Sequence, residues 1–209
     1  MVKKVKVIVS FLLDETGSMY PYKNETIISF NKWLEEMKGN KGKALFTLTK
    51  FNSSKVDVVY NSAKLKDVKE LTNETYDPSL ATPLFDAIGK TVSAIVEDDS
   101  KNEHVLFVIM TDGEENASKE FSIDAIKKLI ADKEKDGWTF IYLGANQDAW
   151  GVGKSFGIAD GNIAAYATTK MGETMKGVSK SSAHYVARGG VQTQTLFHDA
   201  GVDTEEFDE

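Results

Sequence analysis

The stretch KVKVIVSFLLDETGSM, residues 4–19, decides how this chain folds. Within it, Val5–Leu13 is a nearly continuous run of β-branched and aliphatic side chains, a pattern typical of a strand covered on both faces. The run stops at Asp14, where a short polar loop rich in oxygen-bearing side chains begins. We therefore predict a buried strand with a polar loop at its carboxyl end.

Outward from this strand, apolar runs alternate with helical patterns along the chain. Apolar side chains recur every three or four residues from Ile27 to Met37, which predicts an amphipathic helix that ends near Gly39. Ala44–Phe51 and Val56–Tyr60 are predicted strands, and the turn between them is so short that the pair must be antiparallel. Further helices are predicted from Thr82-Pro83 onward and over Leu65–Leu71, Phe121–Asp136, Asp148–Phe156 and Met171–Ala187, and further strands over Val105–Met110, Trp138–Leu143 and Ile163–Ala167.

This alternation predicts an α/β fold of the Rossmann-like type. We expect a three-layer sandwich, with helices on both faces of a mostly parallel central sheet that has one antiparallel edge strand. Residues 1–188 are expected to form the domain and residues 189–209 an acidic C-terminal tail. In such folds ligands bind beyond the carboxyl ends of the strands, where the strand order reverses. The residues that follow Val5–Leu13 and Val105–Met110 should therefore face the same crevice.

Composition and charge exclude several classes of function. The 209 residues include 25 Lys and Arg and 32 Asp and Glu, a net charge of −7, and the chain after His198 is acidic without any basic residue. A nearly neutral body with an acidic tail argues against a protein that grips nucleic acid or an anionic membrane. The chain has no cysteine, and its histidines are few and far apart, so any bound metal is expected to be a hard ion held by oxygen atoms.

The amino-terminal lysines and the apolar run after them imitate a secretion signal. The run is short, however, and it leads directly into Asp14 and Glu15 without a small-residue cleavage site. No other stretch has the length that a membrane crossing needs. We therefore expect a cytoplasmic protein whose partner is neither a membrane nor a nucleic acid.

Five oxygen-bearing side chains are predicted at the same edge of the sheet. They lie in the loop after the first strand, at the start of the middle helix and after the strand Val105–Met110, and they are Asp14, Thr16, Ser18, Thr82 and Asp112. With water, two carboxylates and three hydroxyls can complete the octahedral oxygen shell that Mg²⁺ prefers. Gly17 allows the first loop to curl so that its side chains point to one spot.

Each of these residues, taken singly, has an ordinary structural explanation. Asp14 and Asp112 are common turn and helix-cap residues, and Thr82 before Pro83 is a good N-cap. Glu15, Glu114 and Glu115 are expected to be solvated. The prediction of a metal site therefore rests on the combination.

In this combination the chain resembles the von Willebrand factor type A domain family. The matching segments are DETGSM from Asp14, ATPLFDAI around Thr82 and VLFVIMTDG ending in Asp112-Gly113, and the resemblance spans about Val5–Ala187. Thr16 stands where Ser is commoner in the family, which preserves the hydroxyl.

The resemblance implies a metal-ion-dependent adhesion site. Its ligands to Mg²⁺, or to Mn²⁺ or Ca²⁺ in its place, would be the five side chains above, some directly and some through water. One position would stay open for an Asp or Glu of a protein partner. The resemblance further implies a non-enzymatic interaction module, similar to the small stand-alone members of bacteria and phages. Asp86 lies outside the motif. We expect it either to support a metal-binding residue without touching the metal itself or to have no role at the site.

Other functions fit parts of the sequence. Gly151–Ser155 imitates the end of a phosphate-binding loop of a nucleotide-binding protein, but Asp148 occupies the place of that loop's first glycine. Ser155 also matches a nucleophile pattern with Asp160 and His184 downstream, but it falls in a predicted helix and not at a strand-to-helix elbow. A hydrolase that uses the metal to activate water stays open as an alternative, although it needs a general base that no histidine here supplies.

Overall fold

Six strands build one central sheet in the computed structural model, which describes residues 6–40, 44–97, 103–145, 148–167 and 170–204. The strands are β1 (Lys6–Asp14), β2 (Ala44–Asn52), β3 (Lys55–Lys64), β4 (Glu103–Thr111), β5 (Thr139–Ala145) and β6 (Ile163–Tyr166). Their order is β3-β2-β1-β4-β5-β6, in which β2 and β3 are antiparallel and the other neighbouring pairs are parallel. This is the sheet predicted from the sequence, with the antiparallel strand at one edge.

Helices cover both faces of this sheet. They are α1 (Lys23–Gly39), α2 (Leu84–Glu97), α3 (Ile123–Lys135), α4 (Ala149–Ser155), α5 (Met171–Ala187) and α6 (Leu196–Asp199). Successive side chains of β1 point to opposite faces, so Val9 and Phe11 pack into the core under α1 and α5, whereas Ile8 and Leu12 pack into the core under α2, α3 and α4. The predicted three-layer sandwich is thereby confirmed. None of the described helices is both long and apolar enough to cross a membrane.

Local chemistry sets the ends of the predicted elements. Ser122 caps α3, because its hydroxyl accepts a hydrogen bond from the Ala125 backbone N–H (3.3 Å), and Gly137 follows the helix with a φ of +93°. β3 continues four residues beyond the predicted end at Tyr60, with an irregular register opposite β2. The helix predicted over Leu65–Leu71 is only a short 3-10 turn over Leu65–Asp67.

The segment after α5 packs against the amino-terminal edge of the sheet. There the Gly190 carbonyl lies 2.5 Å from His104 Nδ1, at the start of β4. Asn162, just before β6, bonds the segment's backbone twice, at 2.9 and 2.8 Å. Leu196 and Phe197 are buried in the core under α5.

The predicted division into a domain ending at residue 188 and a tail stays a prediction. Residues 189–204 of that tail lie on the body of the fold through the contacts just given. Residues 205–209, which carry several of the tail's acids, lie outside the described residues, as does Val5 at the start of the first predicted strand.

The buried position of Phe197 predicts a clear effect of its removal. Phe197→Ala should lower the free energy of unfolding by about 3 to 5 kcal/mol, because it deletes a buried aromatic side chain and leaves a cavity. Urea unfolding measures the effect. Val191→Ala, an exposed position in the same segment, is the control and should change stability by less than about 0.5 kcal/mol. A Phe197→Ala variant as stable as the wild type would contradict the packing of this segment.

Candidate metal centre

The candidate site lies where the strand order of the sheet reverses. β1 pairs with β2 on one side and with β4 on the other, and the pairing of Leu13 with Met110 brings Asp14 next to Thr111. The loops that follow β1 and β4 therefore meet at one edge of the sheet, as the sequence predicts. The start of α2 joins them, because the Thr16 and Thr82 hydroxyls are 3.3 Å apart.

One hydrogen-bond network connects all five predicted site residues. Asp14 Oδ1 accepts a bond from the Thr16 backbone N–H (2.7 Å), and Thr82 Oγ1 donates to Thr16 Oγ1 (3.3 Å). Thr16 Oγ1 lies 3.1 Å from Ser18 Oγ, which in turn donates to Asp112 Oδ1 (2.7 Å). The structure thus brings the five side chains together. Their role as metal ligands stays a prediction.

Both carboxylates of the site lie where ionisation is unfavourable. Burial raises the pKa of Asp14 to about 6, although hydrogen bonds from Thr111 and Thr16 oppose the shift, and the nearby Asp112 raises it further. Burial also raises the pKa of Asp112 above its ordinary value. Among the described residues, no lysine or arginine forms an ion pair with either group. A divalent cation would supply the missing positive charge.

The donor set fits a hard divalent cation. Among the described residues, no three His, Asp or Glu side chains converge on one point, so a cation here needs the neutral hydroxyls as well as the two carboxylates. Space between those hydroxyls is kept by Gly113, since a Cβ atom there would lie 3.2 Å from both Ser18 Oγ and Thr82 Oγ1. All the donors are oxygen atoms, which suits Mg²⁺ and Mn²⁺.

A buried ion pair supports the loop that carries Asp14. Glu15 is only 3% exposed, so the expectation that it is solvated is wrong. Its Oε1 accepts bonds from Lys50 Nζ (2.7 Å) and from the Asp77 backbone N–H (2.9 Å), and Lys50 also donates to the Thr75 carbonyl oxygen (2.5 Å). The signal in the sequence was Lys50 itself, because a single lysine inside an apolar strand needs a buried acid nearby.

Three further residues that the sequence analysis missed hold the site in place. The Thr111 hydroxyl donates to Asp14 Oδ2 (2.6 Å), and the Tyr76 hydroxyl donates to the Asp14 carbonyl oxygen (2.7 Å). Asn116 Oδ1 accepts a bond from the Thr82 backbone N–H (2.9 Å). Each of these contacts joins segments that are distant in the sequence, so spacing alone could not reveal them.

Acidic residues behind the site fix the loop that follows β4. Glu114 is exposed, as expected, but Glu115 is partly buried and its carboxylate accepts bonds from the backbone N–H groups of Phe85, Ala117 and Ser118. Asp86 accepts three backbone N–H groups, at 2.9 Å each. Burial raises the pKa of Asp86, but these three donors outweigh it and hold the pKa below its ordinary value. Asp86 is therefore an anchor of the loop that follows β4, and a role behind the candidate ligands stays a prediction.

The residues of the two alternative sites, the phosphate-binding loop and the serine nucleophile, have ordinary structural roles in and around α4. The Asp148 side chain caps this helix by accepting a bond from the Gly151 backbone N–H (2.8 Å), which is an ordinary role for Asp at a helix start. Ser155 Oγ donates to the Val152 carbonyl oxygen (2.6 Å). His184 Nε2 is buried without a hydrogen-bond partner in the described part of the chain, so it does not activate Ser155.

Residues 9–178 match the model of a known protein family, the von Willebrand factor type A domain. A comparison with curated proteins finds no match. The matched range contains all five predicted site residues and ends within α5.

Solved structures share the fold at low sequence identity. Proximal thread matrix protein 1 from the mussel byssus is 12% identical, with a TM-score of 0.65 over 86% of this chain and 47% of its own. The von Willebrand factor type A protein from Catenulispora acidiphila is 12% identical, with a TM-score of 0.57 over 87% of this chain and 43% of its own. The manganese-loaded TRAP protein of Plasmodium vivax is 13% identical, with a TM-score of 0.57 over 81% of this chain and 72% of its own. The chain thus spans less than half of the first two proteins, and the likeness concerns the fold alone.

The space at Gly113 gives the first prediction for the site. Gly113→Ala should weaken Mg²⁺ binding about tenfold or more, because the added methyl group presses on two of the candidate ligand hydroxyls. Isothermal titration calorimetry with Mg²⁺ measures the effect. Gly39→Ala is the matched control, since a Cβ atom there meets nothing within 4 Å. Equal Mg²⁺ affinity of the Gly113→Ala variant and the wild type would argue against a cation between these hydroxyls.

The buried ion pair gives the second prediction. Lys50→Met should destabilise the domain by about 3 to 5 kcal/mol, because it leaves the Glu15 carboxylate buried without a partner. The second substitution Glu15→Gln, added to Lys50→Met, should recover much of the lost stability. The amide oxygen can still accept a hydrogen bond from the Asp77 N–H, and no buried charge is left without a partner. Urea unfolding of both variants provides the measurement. If Lys50→Met alone were as stable as the wild type, the pair would not support the loop.

Proposed function

The chain belongs to the von Willebrand factor type A domain family, and from this premise we propose that it is a non-enzymatic module that binds a protein partner through a divalent cation. Metal-dependent protein interaction is what this family is known for. One observation carries the proposal for this chain, namely the continuous hydrogen-bond network through Asp14, Thr16, Ser18, Thr82 and Asp112.

The arrangement of these residues favours a cation whose coordination shell is accessible from one side. Asp14, Thr16 and Thr82 are buried, whereas Ser18 is exposed and Asp112 is partly exposed. A partner can therefore approach over Ser18 and Asp112. Because three of the five donors are uncharged, a bound cation would keep enough positive charge to attract a carboxylate of that partner.

Electrostatics make partner binding depend on the cation. Asp14 and Asp112 present two carboxylates without a paired lysine or arginine among the described residues, so they repel an incoming Asp or Glu when no cation is bound. With the cation in place, the same two groups hold the ion to which the partner's acid binds. Interaction with the partner should thus be lost on chelation.

Mg²⁺ is the ion that we propose, with Mn²⁺ or Ca²⁺ as substitutes. The oxygen donors suit each of these ions, and the TRAP protein with the same fold was crystallised with manganese. The hydrolase alternative lacks support, because His104 lies at the opposite edge of the sheet and His184 Nε2 has no hydrogen-bond partner among the described residues. A cytoplasmic location and a bacterial or phage origin stay predictions.

Removal of Asp112 tests the proposal. Asp112→Ala should leave a folded domain that binds Mg²⁺ at least about tenfold more weakly, because it deletes one of two carboxylates and little of the core. Calorimetry measures Mg²⁺ binding, and capture of partners from the native host is compared with Mg²⁺ and with chelator. Asp136→Ala, an exposed acid beyond the end of α3, is the control and should behave as the wild type. Equal Mg²⁺ binding by Asp112→Ala and the wild type, or capture that chelation leaves unchanged, would contradict the proposal.

A further inference from the structure

Two tyrosines, Tyr76 and Tyr166, are buried in the core under α1 and α5, and their hydroxyl groups differ. The Tyr76 hydroxyl donates to the Asp14 carbonyl oxygen (2.7 Å). Tyr166, the last residue of β6, is only 1% exposed, and its hydroxyl has no hydrogen-bond partner among the described residues. A buried hydroxyl without a bond costs free energy, and a phenylalanine would fill the same space without that cost. The Tyr166 hydroxyl therefore calls for an explanation.

The register of the sheet places Tyr166 at the edge that carries the candidate metal centre. Tyr166 pairs with Ala145 at the end of β5, and Gly144 pairs with Thr111 at the end of β4. Asp112 follows Thr111 directly, so it leaves β4 at the level of Tyr166, two strands away. Because neighbouring strands are about 4.8 Å apart, β4 and β6 are separated by about 10 Å, a gap that a tyrosine side chain can largely cross.

The carboxylates of the site act on the Tyr166 hydroxyl. Burial raises the pKa of Tyr166 well above its ordinary value, and the nearby carboxylates of Asp112 and Asp14 raise it further. A tyrosine with a raised pKa keeps its proton, so its hydroxyl can donate a hydrogen bond. The charged acceptors near this hydroxyl are thus the two carboxylates of the candidate metal centre.

These two carboxylates are held unequally. Asp14 accepts a bond on each of its oxygens, from the Thr16 N–H (2.7 Å) and from the Thr111 hydroxyl (2.6 Å). In the described part of the chain, the one side chain that donates to Asp112 is the exposed Ser18 (2.7 Å). Asp112, over which a partner can approach, is therefore the less supported of the two. A second donor from the core would fix the orientation of its carboxylate.

We propose that Tyr166 is a positioning residue of the metal centre, whose hydroxyl donates a hydrogen bond to the Asp112 carboxylate, directly or through one water, when the cation is bound. This inference rests on the proposed function, because it concerns the same site. Hydrogen bonds to a ligating carboxylate orient it, and their loss typically weakens metal binding by about 10- to 100-fold. Tyr166 thus joins the core under α1 and α5 to the carboxylate on the partner's side of the site.

The substitution Tyr166→Phe tests the inference, because it deletes the hydroxyl and keeps the ring. Mg²⁺ binding in calorimetry should weaken by about tenfold. Urea unfolding in the presence of chelator should show a variant at least as stable as the wild type, since an unbonded buried hydroxyl is replaced by an apolar atom. Mg²⁺ should also shift the near-ultraviolet absorption of tyrosine in the wild type, because a phenol enters a hydrogen bond, and Tyr166→Phe should lack this shift.

Tyr185→Phe is the matched control. Tyr185 is also 1% exposed, but it lies at the opposite edge of the sheet, where its carbonyl oxygen accepts the Gly190 N–H (2.9 Å) beside His104. This variant should keep both the Mg²⁺ affinity and the absorption shift of the wild type.

Three results would overturn the inference while the wild type still binds Mg²⁺ and the proposed function stands. They are equal Mg²⁺ affinity of Tyr166→Phe and the wild type, an absorption shift that Tyr166→Phe retains, and a loss of stability of Tyr166→Phe under chelator. An equal loss of Mg²⁺ affinity in Tyr185→Phe would also overturn it, because the effect would then not depend on the position of the hydroxyl. A wild type that binds no Mg²⁺ in calorimetry would overturn the proposed function and this inference together.

Discussion

The arrangement of the site depends on one buried carboxylate, that of Asp14 at the end of the central strand. Its two oxygens accept bonds from the Thr16 N–H and the Thr111 hydroxyl, which join the loop after β1 to the end of β4. Its backbone carbonyl accepts the Tyr76 hydroxyl, which joins the long loop before α2. The segments that carry the candidate ligands are therefore positioned relative to this residue.

Two neighbouring acids, Asp14 and Glu15, lie in different electrostatic environments. Glu15 is buried and paired with Lys50 at 2.7 Å. Asp14, one residue earlier, is also buried, and burial raises its pKa to about 6, yet no described lysine or arginine pairs with it or with Asp112. The fold pairs one buried acid with a lysine, but it leaves two acids at the switch point of its sheet without an ion pair among the described residues. This electrostatic arrangement favours a bound cation.

The sequence predicts the architecture well because its determinants are local. The buried strand β1 is visible in the sequence as an apolar run, and the amphipathic helix around Ile27–Met37 is visible as a hydrophobic period. The five site residues follow from strand ends and a known motif. Contacts between distant segments are not visible in this way. The Glu15–Lys50 pair joins positions 35 residues apart, and the left-handed conformation of Leu80 is held by a bond from the Gly17 N–H to its carbonyl oxygen and by a bond from the Ala81 N–H to Ser53 Oγ. Such features require the folded chain.

A crystal structure grown with Mn²⁺ tests the central claim most directly, because the anomalous signal locates the ion without reference to a model of the site. The account predicts one strong peak among Asp14, Thr16, Ser18, Thr82 and Asp112, with direct oxygen contacts at about 2.1 Å, as for Mg²⁺, and with one coordination position held by water or by an acid of a neighbouring molecule. No peak at saturating Mn²⁺, or a peak elsewhere with these five side chains unchanged, would contradict it.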